Sequence, residues 1–336
     1  MASLQFTIAD IFSQTPYQGN PLAIVDATSQ VLTTTQQQLI TRQFNLSETS
    51  FILPATEEKA DYRLRSFLPD GREVYGAGHN ILGVWWYLAE SGLLNFTSAN
   101  LSQTHEDGSE TFLFHQELGG EVIALKIRRI KKPEHKNDYE VFLRQAPPKV
   151  HGIHPNRALL AESFGLTEAD IGFAASNSNS LLPPQVTSTS TTHHLLVPLA
   201  SVEALNKAVV QRDKLLEQLA LVDKRAYGLF LFTQVGANKY EARFFSPGMS
   251  GEDPATGSAA GPLSVYLHEH GELELVDGAA QIEVHQGLRV GRRCLIKVAL
   301  SLEKSEGGDI RQVDLIGGGV TIAEGRISIP GESIAF

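Results

Sequence analysis

The residues best suited to chemistry lie in three short stretches. Glu48 sits in Asn45-Leu46-Ser47-Glu48-Thr49, at a junction between elements, beside apolar Phe44, Leu46 and Phe51. A carboxylate partly desolvated at such a junction has a raised pKa and suits general acid/base work. On local sequence alone, a simple capping glutamate is the plainer reading. His79 follows Gly78 and precedes Asn80 at the start of an apolar segment. Glu252 and Asp253 lie in a polar loop that leads into Thr256-Gly257-Ser258-Ala259-Ala260-Gly261, a small-residue helix start. The first N–H groups of a helix lack intrahelical acceptors and the dipole is positive there, so a helix start is suited to an anion. Gly257 lets a ligand approach the backbone closely.

The design occurs twice. Arg65, Phe67, Pro69, Gly78 and Tyr87-Leu88 recur as Arg243, Phe245, Pro247, Gly257 and Tyr266-Leu267, at an offset of 178 residues at the Phe and 179 at the Gly. A period of about half the 336-residue chain implies a duplicated, two-lobed fold rather than a short-repeat solenoid. Two helix starts, one per lobe, are then expected to face one cleft.

The elements that must hold these residues read as strands around apolar helices. Gln5 to Ile11 alternates, Tyr17 to Pro21 is turn chemistry, and Leu22 to Val25 is a buried strand. Thr33 or Thr34 caps a helix running to about Phe44, followed by a strand from Ser50 to Leu53. Thr111 to Leu118, Val122 to Arg128 and Tyr139 to Arg144 are successive strands, with Gly119-Gly120 as a hairpin turn. Gln145 to Pro148 reads as an interlobe connection, and Asn156 to Phe164 as a helix. Ser176 to Thr192, rich in Ser, Asn, Thr and Pro, reads mostly as an exposed loop. Leu195 to Leu199 is a strand, Ser201 caps one helix reaching about Leu219, and the remainder is strand after strand.

Composition narrows the function. A hydrophobic content of 42% with 20% charged residues describes a soluble globular chain. The net charge of −10 disfavours nucleic acid or an anionic membrane as partner. No leader or long apolar run is evident, so a cytoplasmic location is expected. The single cysteine, Cys294, excludes an intrachain disulfide framework and a two-thiol racemase. His193-His194 and His268-Glu269-His270 are weak metal candidates, and no metal is expected. A serine-hydrolase elbow is absent, and Gly317-Gly318-Gly319 reads as a hairpin turn rather than a dinucleotide loop. Proton transfer on a small anion, without a cofactor, is what survives.

These residues resemble the PhzF-like, or phenazine-biosynthesis-like, family, which has the diaminopimelate-epimerase fold. The resemblance rests on Gly19-Asn20-Pro21-Leu22-Ala23-Ile24-Val25, Asn45 to Phe51, Arg65-Ser66-Phe67 with Gly78-His79, Leu195 to Pro198, Glu252 to Ala259, and Gln286-Gly287. These motifs stand in family order over nearly the whole chain. The resemblance implies an α+β fold of two pseudo-symmetric lobes, each a barrel-like, mostly antiparallel sheet wrapped around a central helix. Residues 1–145 would form the N-terminal lobe and 146–315 the C-terminal lobe, with C-terminal strands at 316–336 that can return to the N-terminal lobe.

It further implies a cofactor-independent isomerase acting on a small carboxylate, and a homodimer. Glu48 matches the family's proton-shuttling glutamate, His79 and Asp253 its supporting polar residues, and Gly257 and Ser258 its anion-binding helix start. Asn20, Gly78 and Asn80 complete the expected substrate-binding set. Ala77-Gly78-His79-Asn80-Ile81 departs from the family's frequent Cys-Gly-His-Ala-Thr, and Asn80 there could alter substrate choice. The Ser176–Thr192 segment also looks longer than usual. A binding protein without turnover and an amino-acid epimerase or racemase remain as alternatives.

Overall fold

In a computed structural model the described residues are 2–75, 78–132, 137–175, 180–190, 192–248, 251–303 and 310–336. The chain divides into two compact units, one of Met1–Leu143 with Ile316–Phe336 and one of Arg144–Leu315. Both are α+β, with mixed sheet pairing.

The first unit runs β1 (Ser3–Ile11), β2 (Asn20–Asp26), α1 (Thr34–Phe44), β3 (Thr49–Leu53), β4 (Tyr62–Phe67), β5 (Glu73–Val74), α2 (Gly78–Glu90), β6 (Leu101–Thr104), β7 (Glu110–Leu118), β8 (Glu121–Ile130) and β9 (Asp138–Arg144). The second runs β10 (Lys149–Ile153), α3 (Arg157–Glu162), β11 (Gln185–Ser188), β12 (His193–Pro198), α4 (Val202–Lys207), α5 (Arg212–Val222), β13 (Gly228–Gly236), β14 (Lys239–Phe245), β15 (Glu252–Asp253), α6 (Gly257–Glu269), β16 (Ala279–Gln286), β17 (Cys294–Glu303) and β18 (Ile310–Gly317). Then β19 (Gly319–Ser328) pairs antiparallel with β1, Leu4 opposite Ile327, and so belongs to the first unit.

The two units repeat one pairing scheme. In the first, β1–β2 is antiparallel, β2–β3 parallel, β3–β4 antiparallel, β4–β5 antiparallel and β4–β7 parallel. In the second, β11–β12, β12–β13, β13–β14, β14–β15 and β14–β16 follow the same sequence of senses. A parallel neighbour needs a crossover rather than a tight hairpin. Helix α1 makes that crossover in the first unit, and α4 with α5 makes it in the second.

The parallel strands are covered on both faces, which explains their near-continuous apolar runs. All five residues of β3 are buried. One face packs on α2, whose residues Gly78 through Ala89 are all buried; Trp85 there donates its indole N–H to Gln116 Oε1 at 2.8 Å, so the ring is buried with its polar atom satisfied. The other face joins Val25, Ile40, Phe51 and Phe67 in a core beneath α1. In the second unit α6 is the buried helix, while α3, α4 and α5 cover the opposite core, with Leu195, Val197, Leu229 and Leu231 from the sheet. Each large apolar side chain so buried contributes about 1.5–3 kcal/mol.

Helix α1 starts where expected, since Thr33 and Gln36 form a reciprocal capping box. Three expectations fail. Gly317-Gly318-Gly319 is not a hairpin turn: Phe12 N–H donates to Gly318 O at 2.8 Å and Ile11 stands opposite Gly319, so this stretch runs on beside β1. The single helix from Ser201 to Leu219 is two helices, α4 and α5. Between them Val209 N–H donates to Phe164 O and Gln211 N–H to Ser163 O, both at 2.9 Å. The Leu205 and Ala208 carbonyls turn to the Arg243 guanidinium instead, at 2.7 and 2.9 Å. These tertiary hydrogen bonds outweigh the apolar periodicity. The stretch Ser176–Thr192 is also not mainly an exposed loop. Residues 176–179 and 191 lie outside the described residues, but Leu182 is buried and Gln185–Ser188 forms β11, paired on both sides. Two of its polar side chains find partners there: Gln185 donates to His151 O, and Ser188 bonds His151 Nε2. Among the described residues no helix is long and apolar enough to cross a membrane.

Candidate active site

The first unit brings Glu48 and His79 together. Helix α1 ends at Asn45, which adopts a left-handed conformation and donates its N–H to Thr41 O. The chain then turns so that Glu48 falls immediately before β3. Helix α2 begins at Gly78, so His79 lies in its first turn. Glu48 Oε2 is 3.2 Å from His79 Nε2, and both side chains are largely buried. Burial pushes the Glu48 carboxyl up from 4.5 to about 7, because the charged form is desolvated. A carboxyl with that pKa is near half-ionised at neutral pH, so it can both take and return a proton.

The other three candidates of this unit, Asn20, Gly78 and Asn80, are also buried. Asn20 opens β2 opposite Ile11. Asn80 turns its side chain onto its own helix, Oδ1 accepting from Ile81 N–H at 2.8 Å. Its carbonyl oxygen is therefore engaged in satisfying the helix start. Ala77, part of the departure from the family pattern, lies outside the described residues.

The second unit builds its half of the candidate set around Gln286, the last residue of β16. Its amide spans the loop that enters α6. Oε1 accepts from Thr256 N–H at 3.1 Å, while Nε2 donates to Asp253 O at 2.7 Å and to Thr256 Oγ1 at 3.0 Å. Because Nε2 can only donate, Thr256 Oγ1 accepts from it and gives its own proton to Asp253 Oδ2, at 2.5 Å. Asp253 Oδ2 is thus an acceptor, and its carboxylate is oriented through Thr256. Gly287, next in line, has φ of 82°; a side chain there would also meet Pro254 O at 2.8 Å and the Arg292 carbonyl. The Gln286-Gly287 dipeptide is therefore a brace for the Asp253 loop.

Gly257 and Ser258 form the first turn of α6. Ala259 and Ala260 donate their N–H groups to Thr256 O, so the Gly257 and Ser258 amides are the ones with no intrahelical acceptor. Gln145 Nε2 donates to Gly257 O at 3.0 Å. Ser258 Oγ is 3.0 Å from Nε2 of His194, a buried residue of β12.

The repeated arginines hold the repeated loops. Arg65 grips Glu73 with two hydrogen bonds, at 2.8 and 2.7 Å. Arg243 grips Glu252 at 3.1 and 2.9 Å. Glu252 is thus a structural partner, whereas Asp253 beside it is turned to Thr256. Sequence reasoning missed Thr256, Gln286 and His194. The Gln-Gly pair and the tandem histidines were visible, but their partners lie 30 and 64 residues away.

A family model described as phenazine biosynthesis-like protein matches residues 9–325, so the chain belongs to that family. Several homologues that it matches along nearly their whole length are named isomerases. One, from Pseudomonas chlororaphis, is named a trans-2,3-dihydro-3-hydroxyanthranilate isomerase; it is 30% identical over 96% of this chain and 98% of its own. A Bacillus anthracis phenazine biosynthesis protein of the PhzF family superposes with a TM-score of 0.76 at 25% identity, over 98% of this chain and 100% of its own. A hydroxyproline epimerase from Agrobacterium vitis shares the fold alone, with a TM-score of 0.60 at 13% identity, over 98% of this chain and 94% of its own.

Proposed function

We propose that this chain is a cofactor-independent isomerase that moves a proton on a small, unsaturated carboxylate. The observation that carries the reading is the Glu48–His79 pair, in which a desolvated carboxyl with a pKa near neutrality sits against an imidazole. Glu48 takes a proton from a substrate C–H bond, and the electron pair shifts into the conjugated system. The same carboxyl, whose proton exchanges with solvent before it is delivered, then protonates another carbon, so the substrate's composition is unchanged. His79 holds and polarises Glu48, Asp253 orients the substrate through a fixed carboxylate, and the Gly257 and Ser258 amides bind the substrate's anionic group. Asn20, Gly78 and Asn80 shape the binding site.

The register of the two units favours this over an epimerase with mirror-placed bases. Thr49 stands opposite Phe67 in the first unit, and Leu229 opposite Phe245 in the second. The place of Glu48 is therefore taken by Gly228, where a Cβ would lie 2.5 Å from His194 Nδ1 and would also meet the Phe244 ring. Conversely, Asp253 stands opposite Phe244 and Val74 opposite Ser66, so Val74 takes the place of Asp253. Each unit carries one carboxylate at a position where the other has none, an arrangement suited to unlike roles.

The test is to incubate the protein with a panel of small carboxylates, dihydroaromatic amino acids among them, and to follow isomer formation by NMR. Turnover by wild type that falls at least a hundredfold in Glu48→Gln supports the assignment. Undiminished turnover by Glu48→Gln removes Glu48 from the chemistry.

A further inference from the structure

His193 and His194 drew notice in the sequence as a pair, yet the proton-transfer reading uses neither. Their surroundings differ sharply. His193 Nδ1 is 3.4 Å from Asp223 Oδ2. His194 points into the protein and is 1% exposed. Its ring is held edge-to-face by Tyr227 at 4.9 Å and Phe244 at 5.0 Å, and Gly228 makes room for it, since a Cβ there would lie 2.5 Å from Nδ1. A ring so enclosed cannot turn to exchange its nitrogens. Nε2 reaches Ser258 Oγ at 3.0 Å, whereas Nδ1 has no hydrogen-bond partner among the described residues.

The unequal nitrogens decide where the ring proton goes. A buried N–H without an acceptor loses its hydration with no return, and such orphan donors are rarer than orphan acceptors. Nδ1 is therefore the bare nitrogen, and Nε2 carries the proton. Burial also pushes the imidazole down to about 3, so it stays neutral at working pH. A neutral ring with Nε2–H can only donate to Ser258 Oγ. The hydroxyl, with that lone pair occupied, has its own proton left to give.

We propose that His194 is a positioning residue that fixes the Ser258 hydroxyl as a donor, turning the first turn of α6 into a three-donor cradle of Gly257 N–H, Ser258 N–H and Ser258 O–H for a substrate carboxylate. The inference rests on the reading of that helix start as a substrate-binding element. Its role is distinct from that of a charged group: the cradle gains a directed dipole while the anion keeps its charge uncompensated.

The ring's proton can be read in the resting protein, without turnover, so the outcome is separate from that of the Glu48 experiment. In uniformly ¹⁵N-labelled protein, with the His194 resonances assigned by their loss in His194→Phe, long-range ¹H–¹⁵N spectra distinguish the two nitrogens. The expected result is a protonated Nε2 and a bare Nδ1, unchanged from pH 5.5 to 8. In Ser258→Ala the Nε2-bound proton should lose its acceptor and with it its protection from solvent exchange, while a ring held only by packing would keep the same spectrum. A proton on Nδ1, a charged ring at pH 6, or a spectrum indifferent to Ser258→Ala would overturn the proposal.

Discussion

Replacing Glu48 by Gln should make the protein more stable, by an amount that grows with pH. The reasoning starts from the carboxyl's displacement, from 4.5 in an open chain to about 7 in the folded one. Below about pH 4.5 the group is protonated in both states and contributes no pH dependence. Between about 4.5 and 7 the unfolded chain has released the proton that the folded chain retains, so stability falls as pH rises and levels off above the folded value. At about 1.4 kcal/mol for each tenfold change in the protonation equilibrium, the ceiling is roughly 3 kcal/mol. Glutamine has nearly the same shape and never ionises, so the variant escapes that loss. Urea unfolding of both proteins at intervals from pH 4 to 8 measures it. The variant's advantage should be small at pH 4 and approach 1–3 kcal/mol at pH 8. A difference that is flat with pH would refute the desolvation argument. An advantage that passes to wild type as pH rises would mean that Glu48 is held ionised, as a carboxylate paired to a charged His79 would be.

Arg243→Met should cost about 3–5 kcal/mol in urea unfolding, because it leaves the nearly buried Glu252 without its partner; adding Glu252→Leu should recover much of that loss. Gln286→Leu removes three hydrogen bonds from the Asp253 loop and should lower stability by about 1–3 kcal/mol, with a loss of turnover to match that of Asp253→Asn. Gly287→Ala forces a side chain into a φ of 82° and against the Pro254 carbonyl, so it should cost more than about 1 kcal/mol in thermal unfolding and impair turnover with it.

Much of the fold was legible because its determinants are local. Thr33 and Gln36 announce the start of α1 within four residues, and the apolar run from Ile81 to Leu88 announces a buried helix. The duplication was legible from Arg65, Phe67 and Gly78 against Arg243, Phe245 and Gly257, and the pairing of β3–β4–β5 and β13–β14–β15 gives it structural form. What stayed hidden depends on distant partners. Nothing near Ala208 shows that its carbonyl goes to Arg243. Nothing in the polar run before His193 shows that Gln185–Ser188 lies between two strands. Within the candidate site, Glu48 and its partial desolvation were readable from Phe44, Leu46 and Phe51, but its contact with His79 at 3.2 Å was not, since the helix that carries His79 starts 30 residues later. Asp253 was singled out over its neighbour Glu252 in the sequence, but not their partners; the register of β15 turns Glu252 to Arg243 and Asp253 to Thr256.

The most direct test of the account is solvent-deuterium incorporation. Wild type, Glu48→Gln and Asp253→Asn are each incubated in deuterium oxide with a carboxylate that wild type isomerises, and carbon-bound deuterium is followed by NMR. The account predicts deuterium at the carbon that gains the proton in wild type, none above background in Glu48→Gln, and slowed incorporation at the same carbon in Asp253→Asn. Incorporation by Glu48→Gln at the wild-type rate would contradict it.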